Sequence, residues 1–225
     1  MKKTMYGDRE KCYQCYRPKS SCLCDFVHRV PTKTKFVLLM HPKEFKKVKN
    51  NTGFLTHLSL PNSEVFVGID FSNHHKINEI IQTHNSYILY PSKDAINLSE
   101  IKDITTLQSN NTLPMAIFLI DSTWACTKKI FTLSKNLQNL PHLSFTTQKK
   151  SIYAIKQQPQ EHYLSTIEST LVVLELLGKL GVEKIEKEDK ENFLNPFKEM
   201  IAYQQELIYN PKHNAVRFKK RKSIL

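Results

Sequence analysis

Glycine is scarce. Only five occur in 225 residues: Gly7, Gly53, Gly68, Gly178 and Gly181. No pair has the spacing of a dinucleotide fingerprint or a P-loop, which both need glycine where backbone approaches phosphate. The count argues against a Rossmann-type nucleotide site and a Walker-type NTPase. No run approaches the ~18 apolar residues of a membrane span. The opening MKKTMYGDREKCYQCY has no apolar stretch after its basic residues, unlike a secretory signal. The expectation is a soluble, cytoplasmic protein with no membrane partner. Acidic residues are few at both ends. Residues 1–50 hold 13 Lys or Arg against 4 Asp or Glu, and residues 211–225 hold 6 against none, so the intervening chain is slightly acidic. Basic ends on a net charge of +12 suit a polyanion such as RNA, because each neutralised phosphate releases a counterion. Lysines on solvated faces are the plainer reading and stand beside it.

What is present suffices for a core: 40% hydrophobic and 24% charged residues, ordinary values for a globular domain. The length fits one large domain or one domain with a small appendage. Four of the five cysteines lie within thirteen residues, Cys12, Cys15, Cys22 and Cys24, in the pattern C-x2-C-x6-C-x-C. Two close pairs on tight turns bring four thiolates to one tetrahedral zinc ion. Disulfides would require an oxidising compartment. With all four positions filled by sulfur, such a zinc has no open site, so its role is structural. Arg17, Lys19 and Arg29 lie in or beside this knuckle, as RNA contacts or as scaffold charges. Cys126, alone in an apolar helical stretch, reads as a small core residue.

Hydrophobic patterning alternates strand and helix. Strands are expected at 35–42, 64–70, 86–92, 115–122 and 151–155. Helices are expected at 43–60 (interrupted near Asn51-Thr52-Gly53), 73–84, 123–137, 164–181 and 189–210; residues 95–112 are polar and weakly helical. This order predicts an α/β fold with a mostly parallel sheet. The organisation reads as a zinc-knuckle segment (1–30), an α/β catalytic domain (31–210) and a basic C-terminal tail (211–225). Ligands of such sheets bind beyond the carboxyl ends of the strands, where three polar clusters fall: His41-Pro42, Tyr90-Pro91-Ser92 and Asp121-Ser122-Thr123-Trp124. His41 serves a phosphate or ribose contact, or simply a turn. By position alone, Asp121 reads as the N-cap of the helix that follows it, and Trp124, the single tryptophan, as a core residue. Ser165 and Glu168 form S-x-x-E, a capping box. Lys128 and Lys129 are helix-face charges or, alternatively, RNA contacts.

Five ordered blocks carry a resemblance: CYQCYRPKSSCLC, LLMHPKE with NNTGFL, LYPSKDA, LIDSTWACTKKI and AIKQQPQEHYLSTIES. Together, over roughly residues 12–178, they closely resemble the DTW-domain proteins, whose signature is Asp-x-Thr-Trp. Where the family usually reads NTGRL, Phe54 stands in place of arginine, and Lys156 stands where arginine is frequent. Arginine binds phosphate or carboxylate bidentately, which neither residue can copy. The resemblance implies transfer of the 3-amino-3-carboxypropyl group of S-adenosylmethionine to N3 of a tRNA uridine, releasing methylthioadenosine. It also implies a SPOUT-related fold with a knotted cofactor site. It makes Asp121, Thr123 and Trp124 catalytic, with Asp121 as candidate general base and Trp124 stacking on adenine or uracil. It assigns S-adenosylmethionine binding to Tyr90, Pro91, Ser92, Asp121, Ser122, Gln158, Pro159, Leu164, Ser165, Thr166 and Glu168. The basic tail, with Lys219, Lys220 and Arg221, joins the RNA contacts. A non-catalytic knuckle protein that binds RNA and a SPOUT-like methyltransferase are the competing readings. The oligomeric state is open.

Overall fold

The computed structural model describes residues 10–46, 50–107, 113–153 and 164–209. Six strands form one sheet: β1 (Lys35–Met40), β2 (Ser63–Val67), β3 (Asn85–Leu89), β4 (Ile96–Asn97), β5 (Met115–Asp121) and β6 (His142–Ser144). Their spatial order is β2-β1-β5-β3-β6-β4, and every neighbouring pair is parallel. The helices are α1 (Pro42–Phe45), α2 (Thr52–Ser59), α3 (His75–Thr83), α4 (Trp124–Leu133), α5 (Lys135–Gln138), α6 (Thr166–Lys179), α7 (Lys187–Asn192) and α8 (Asn195–Tyr209).

The central strands KFVLLM and MAIFLID are apolar at nearly every position because both faces of the sheet are covered. Alternate side chains go to opposite cores. Phe36, Leu38, Ile117 and Leu119 pack with Leu55 of α2, Val173 and Leu174 of α6, and Phe197 of α8. Val37, Leu39, Ala116 and Phe118 pack with Ile77 and Ile80 of α3, Ile130 of α4 and Leu137 of α5. Burying each such side chain contributes about 1.5–3 kcal/mol. Leu23 and Val30 belong to the first core, so the cysteine segment is built onto the α/β body. Thr34 and Lys33 donate their backbone N–H to buried Glu183, tying the start of β1 to the turn after α6.

Register levels the strand ends. Met40 of β1 pairs with Asp121 of β5, and Leu89 of β3 pairs with both Leu119 and Leu143. The polar residues after β1, β3, β5 and β6 therefore emerge along one edge. Four sequence expectations change. Residues 151–153 are not a strand, because the backbone N–H of Ile152 is taken by the Glu168 carboxylate; the rest of that segment lies outside the described residues. The short strands β4 and β6 were not foreseen, since two or three residues give no period to read. The helix expected from 189 divides into α7 and α8. Cys126 is half-buried rather than a core residue.

Candidate active site

The loops at the carboxyl ends of β3, β5 and β6, with α1, α2 and α6, enclose a cavity of about 760 Å³, within the usual range for small-molecule sites. Asp121 is at its centre. It is the last residue of β5, only 6% exposed, and its Oδ1 accepts a 2.6 Å hydrogen bond from Thr166 Oγ1 at the first turn of α6. On its other side is Gly53, the second residue of α2. A Cβ built there would come within 2.5 Å of Asp121 Cγ and 2.6 Å of Oδ2. Glycine is required for this close approach, not for an unusual backbone angle. Asn51 sets up the approach by accepting the Phe54 N–H through Oδ1 at 2.7 Å, which caps α2. The carboxylate is thus held between the first turns of two helices.

Asp121 is not a helix cap. Thr123 occupies that position for α4 and makes no side-chain cap bond, while the Ser122 hydroxyl pairs with Thr127 Oγ1 at 2.7 Å. Trp124 opens α4 on the cavity wall and is 41% exposed, which removes the core-tryptophan reading. All three residues expected to be catalytic therefore line one space, with Tyr90, Pro91, Ser122, Leu164, Ser165 and Thr166.

Two expected wall residues stand outside it. Ser92 turns away to His142 Nδ1 at 2.7 Å. Glu168 is buried behind the wall, where it accepts from Ser165 N and Oγ, Ser151 Oγ and Ile152 N. Its acceptor capacity is committed to the capping box and to fastening residues 151–152 onto α6. Gln158, Pro159, Lys156, Lys219, Lys220 and Arg221 lie outside the described residues.

The sequence reading gave no role to three residues of the site. Tyr153 donates to the Asn50 carbonyl at 3.2 Å and packs edge-on against Phe197. Burial pushes its phenol up to about 12, with Glu44, Asp121 and Glu168 adding negative charge nearby, so it stays a neutral donor. Asn51 and Gly53 were visible as an interruption of the expected helix and within the NNTGFL block, without a role. Nothing local distinguishes a glycine that borders a carboxylate from one that ends a turn. His41 takes the turn role: its Nδ1 accepts from Lys43 N, and burial, followed by Lys43, lowers its pKa.

The four clustered cysteines form a second centre. Their sulfurs lie within 4.8 Å of one another, with Cys12–Cys24 at 3.6 Å and Cys15–Cys22 at 3.7 Å. A tetrahedron with bonds of about 2.3 Å has edges of about 3.8 Å, so one metal ion fits. Backbone N–H groups of Cys15 and Gln14 lower the Cys12 thiol to about 6, whereas burial raises those of Cys22 and Cys24. Arg17 is 3% exposed and its Nε donates to Ser21 O at 2.7 Å. Its buried side chain braces the cysteine loop, the scaffold role among the two readings given for it. Lys19 pairs with Glu10 at 2.6 Å; Arg29, Lys128 and Lys129 are exposed.

A doubly covered parallel sheet, a buried carboxylate at a strand end and a four-cysteine cluster define an α/β protein with a cavity of small-molecule size and an N-terminal appendage whose thiols could hold a metal ion. The DTW domain matches residues 9–205, and the chain belongs to the DTW-domain family. Among its relatives, the tRNA-uridine aminocarboxypropyltransferase 2 of Macaca fascicularis is 28% identical over 87% of this chain and 64% of its own length. That of Drosophila melanogaster is 29% identical over 87% of this chain and 75% of its own. The tRNA-uridine aminocarboxypropyltransferase A of Arabidopsis thaliana is 23% identical, over 95% and 88%. The chain thus spans less than two thirds of the macaque relative. No solved structure matches it. Among the described residues, no helix is long and apolar enough to cross a membrane.

Proposed function

We propose that this chain transfers the 3-amino-3-carboxypropyl group of S-adenosylmethionine to N3 of a uridine in tRNA. The observation that carries the reading is the Asp121 carboxylate, fixed between Thr166 and Gly53 inside the cavity. The names of the relatives give the transferred group and the acceptor, an aminocarboxypropyl group and a tRNA uridine; the donor and the N3 position rest on the family resemblance. The cavity suits the donor. Leu119, Leu143, Phe145 and Tyr90 form an apolar wall for adenine, and Ser165 and Thr166 open α6, where backbone N–H groups favour a carboxylate. The sulfonium supplies an electrophilic carbon. In the transfer, the N3–C bond forms, the S–C bond breaks, and its electron pair stays on the sulfur of methylthioadenosine.

The residues align the reactants and remove one proton. Asp121 accepts the N3 proton as general base, while its negative charge favours the cationic donor. Thr166 orients the carboxylate through Oδ1. Trp124, at the cavity wall, stacks on the uracil or the adenine. The four thiolates hold one structural zinc. The parallel sheet supports the SPOUT-like class, and the knotted course of the chain rests on the family resemblance. The basic ends, Arg29 and the lysines of α4 supply phosphate contacts to tRNA, in the cytoplasm.

The test is Asp121→Asn, assayed by methylthioadenosine release with unmodified tRNA. Asn keeps an acceptor for Thr166 but takes no proton at neutral pH. Turnover falls about 10²–10⁴-fold with the melting temperature nearly unchanged. Release within a few-fold of wild type overturns the base assignment. No release by wild type, or S-adenosylhomocysteine in place of methylthioadenosine, overturns the reaction.

A further inference from the structure

The acceptor atom carries a structural demand. N3–H of uridine is a Watson–Crick donor, so the reaction requires an unpaired, unstacked base. The protein must compensate the lost stacking, and exposed aromatic side chains do that for single-stranded RNA. Among the described residues, the exposed aromatics Tyr13, Tyr16, Phe26, Phe45 and Trp124 occupy only the cysteine knuckle, α1 and the cavity wall. Tyr13 is the most exposed, at 92%, and lies between Cys12 and Cys15 in the sequence.

The knuckle constrains the backbone that carries Tyr13 and Tyr16. Cys12 N donates to Arg17 O and Tyr16 N to Cys12 O, closing a tight loop. Tyr16 adopts a left-handed φ of 55°, a conformation that L side chains rarely take. In that conformation its ring meets Phe54 of α2 at 5.3 Å. Phe54 follows Gly53, the residue against Asp121, so the aromatic face adjoins the segment that walls the cavity. The partner chemistry follows from charge: the first 50 residues hold 13 Lys or Arg against 4 acids, with Lys11 beside Tyr13 and Arg29 exposed. Neutral protein partners need no such excess.

We infer that Tyr13 and Tyr16 form a stacking platform for unpaired bases beside the target uridine of tRNA. The inference rests on the proposed transfer reaction for its choice of RNA.

The experiment compares full-length wild type, Tyr13→Ala and Tyr13→Phe in fluorescence anisotropy. The probes are unmodified tRNA, a single-stranded oligoribonucleotide and an RNA duplex. Elemental analysis checks that metal content is equal in all three proteins. Tyr13→Ala weakens tRNA and single-strand binding about 5- to 150-fold, Tyr13→Phe binds within about twofold of wild type, and duplex binding does not change. Tyr13→Ala binding tRNA within twofold of wild type overturns the platform, as does an equal loss on duplex. A Tyr13→Ala effect confined to self-association in size-exclusion chromatography assigns the face to a second copy and also overturns it. Methylthioadenosine release separates the two readings. Tyr13-dependent tRNA binding without release by wild type leaves the platform and removes the transfer; normal release with an unchanged KM in Tyr13→Ala does the reverse.

Discussion

Gly53→Ala sets two physical rules against each other. Alanine is favoured over glycine inside a helix by about 1 kcal/mol, and Gly53 is the second residue of α2. Propensity alone therefore predicts a stabilised protein. The contact predicts the reverse. The new methyl would come within 2.5 Å of Asp121 Cγ, with the Asp121 Cβ at 2.8 Å, about 1 Å closer than ordinary van der Waals contact. Either α2 moves off β5 or Asp121 rotates. Rotation breaks the 2.6 Å bond from Thr166, and a hydrogen bond to a charged group is worth about 1.5–3 kcal/mol. Displacing α2 strains a packed core at about 1–3 kcal/mol. After the helix gain, the net loss is about 0–2 kcal/mol. Turnover falls by about 10²-fold, the usual cost of misplacing a reacting group by 1 Å. Urea melts and methylthioadenosine release measure the two quantities. Gly178→Ala is the control: it also lies in a helix, but its nearest neighbour to a new Cβ is Ile185 at 3.7 Å, so it is neutral or stabilising. A Gly53→Ala protein more stable than wild type, with full turnover, would refute the wedge between α2 and α6.

Other outcomes follow from the same geometry. Cys15→Ser, at the most buried of the four clustered thiols, reduces bound metal from the expected one per chain toward none and lowers the melting temperature; retained stoichiometric metal in elemental analysis contradicts the four-thiolate centre. Glu168→Ala orphans the Ile152 and Ser165 N–H groups and destabilises by about 2–4 kcal/mol in urea, whereas a surface carboxylate would cost under 0.5 kcal/mol. Burial lowers the pKa of His41, His57 and His84. Below about pH 6.5 the unfolded chain binds more protons at these sites, so stability is complete above that pH and declines as pH falls through it. Thermal melts from pH 7.5 to 5.5 with imidazole NMR titrations check this, and a His57 midpoint at or above 6.5 would contradict it.

The long apolar strands β1 and β5 were legible in the sequence because central parallel strands are buried on both faces and need no alternation to be recognised. The strand-end position of Asp121 followed directly. Its surroundings did not. The wedge against Gly53 spans 68 residues and the Thr166 bond spans 45, and no local pattern encodes such distances. Ser165 and Glu168 were legible as a capping box because the motif lies within one helical turn. The same locality concealed the other function of Glu168, which fastens Ser151 and Ile152 from outside the helix. Short β6 was missed because its place is fixed by pairing with Leu89 and Ile88, not by its own three residues.

The order of the chain bears on how the protein matures. All six strands lie before residue 145, so a growing chain can complete the sheet early. One core face then lacks α6 and α8, and Asp121 lacks Thr166. Parallel pairing with long crossovers forms slowly and leaves apolar surface open meanwhile. The knuckle cannot close this gap from the other end, because the 24–26 turn contacts α8 and waits for the last helix as well. The cavity is therefore a late product of folding, assembled when the C-terminal third docks. A ligand of the finished cavity would trap that docked state and slow its reopening, a rescue for chains that hesitate at the final step.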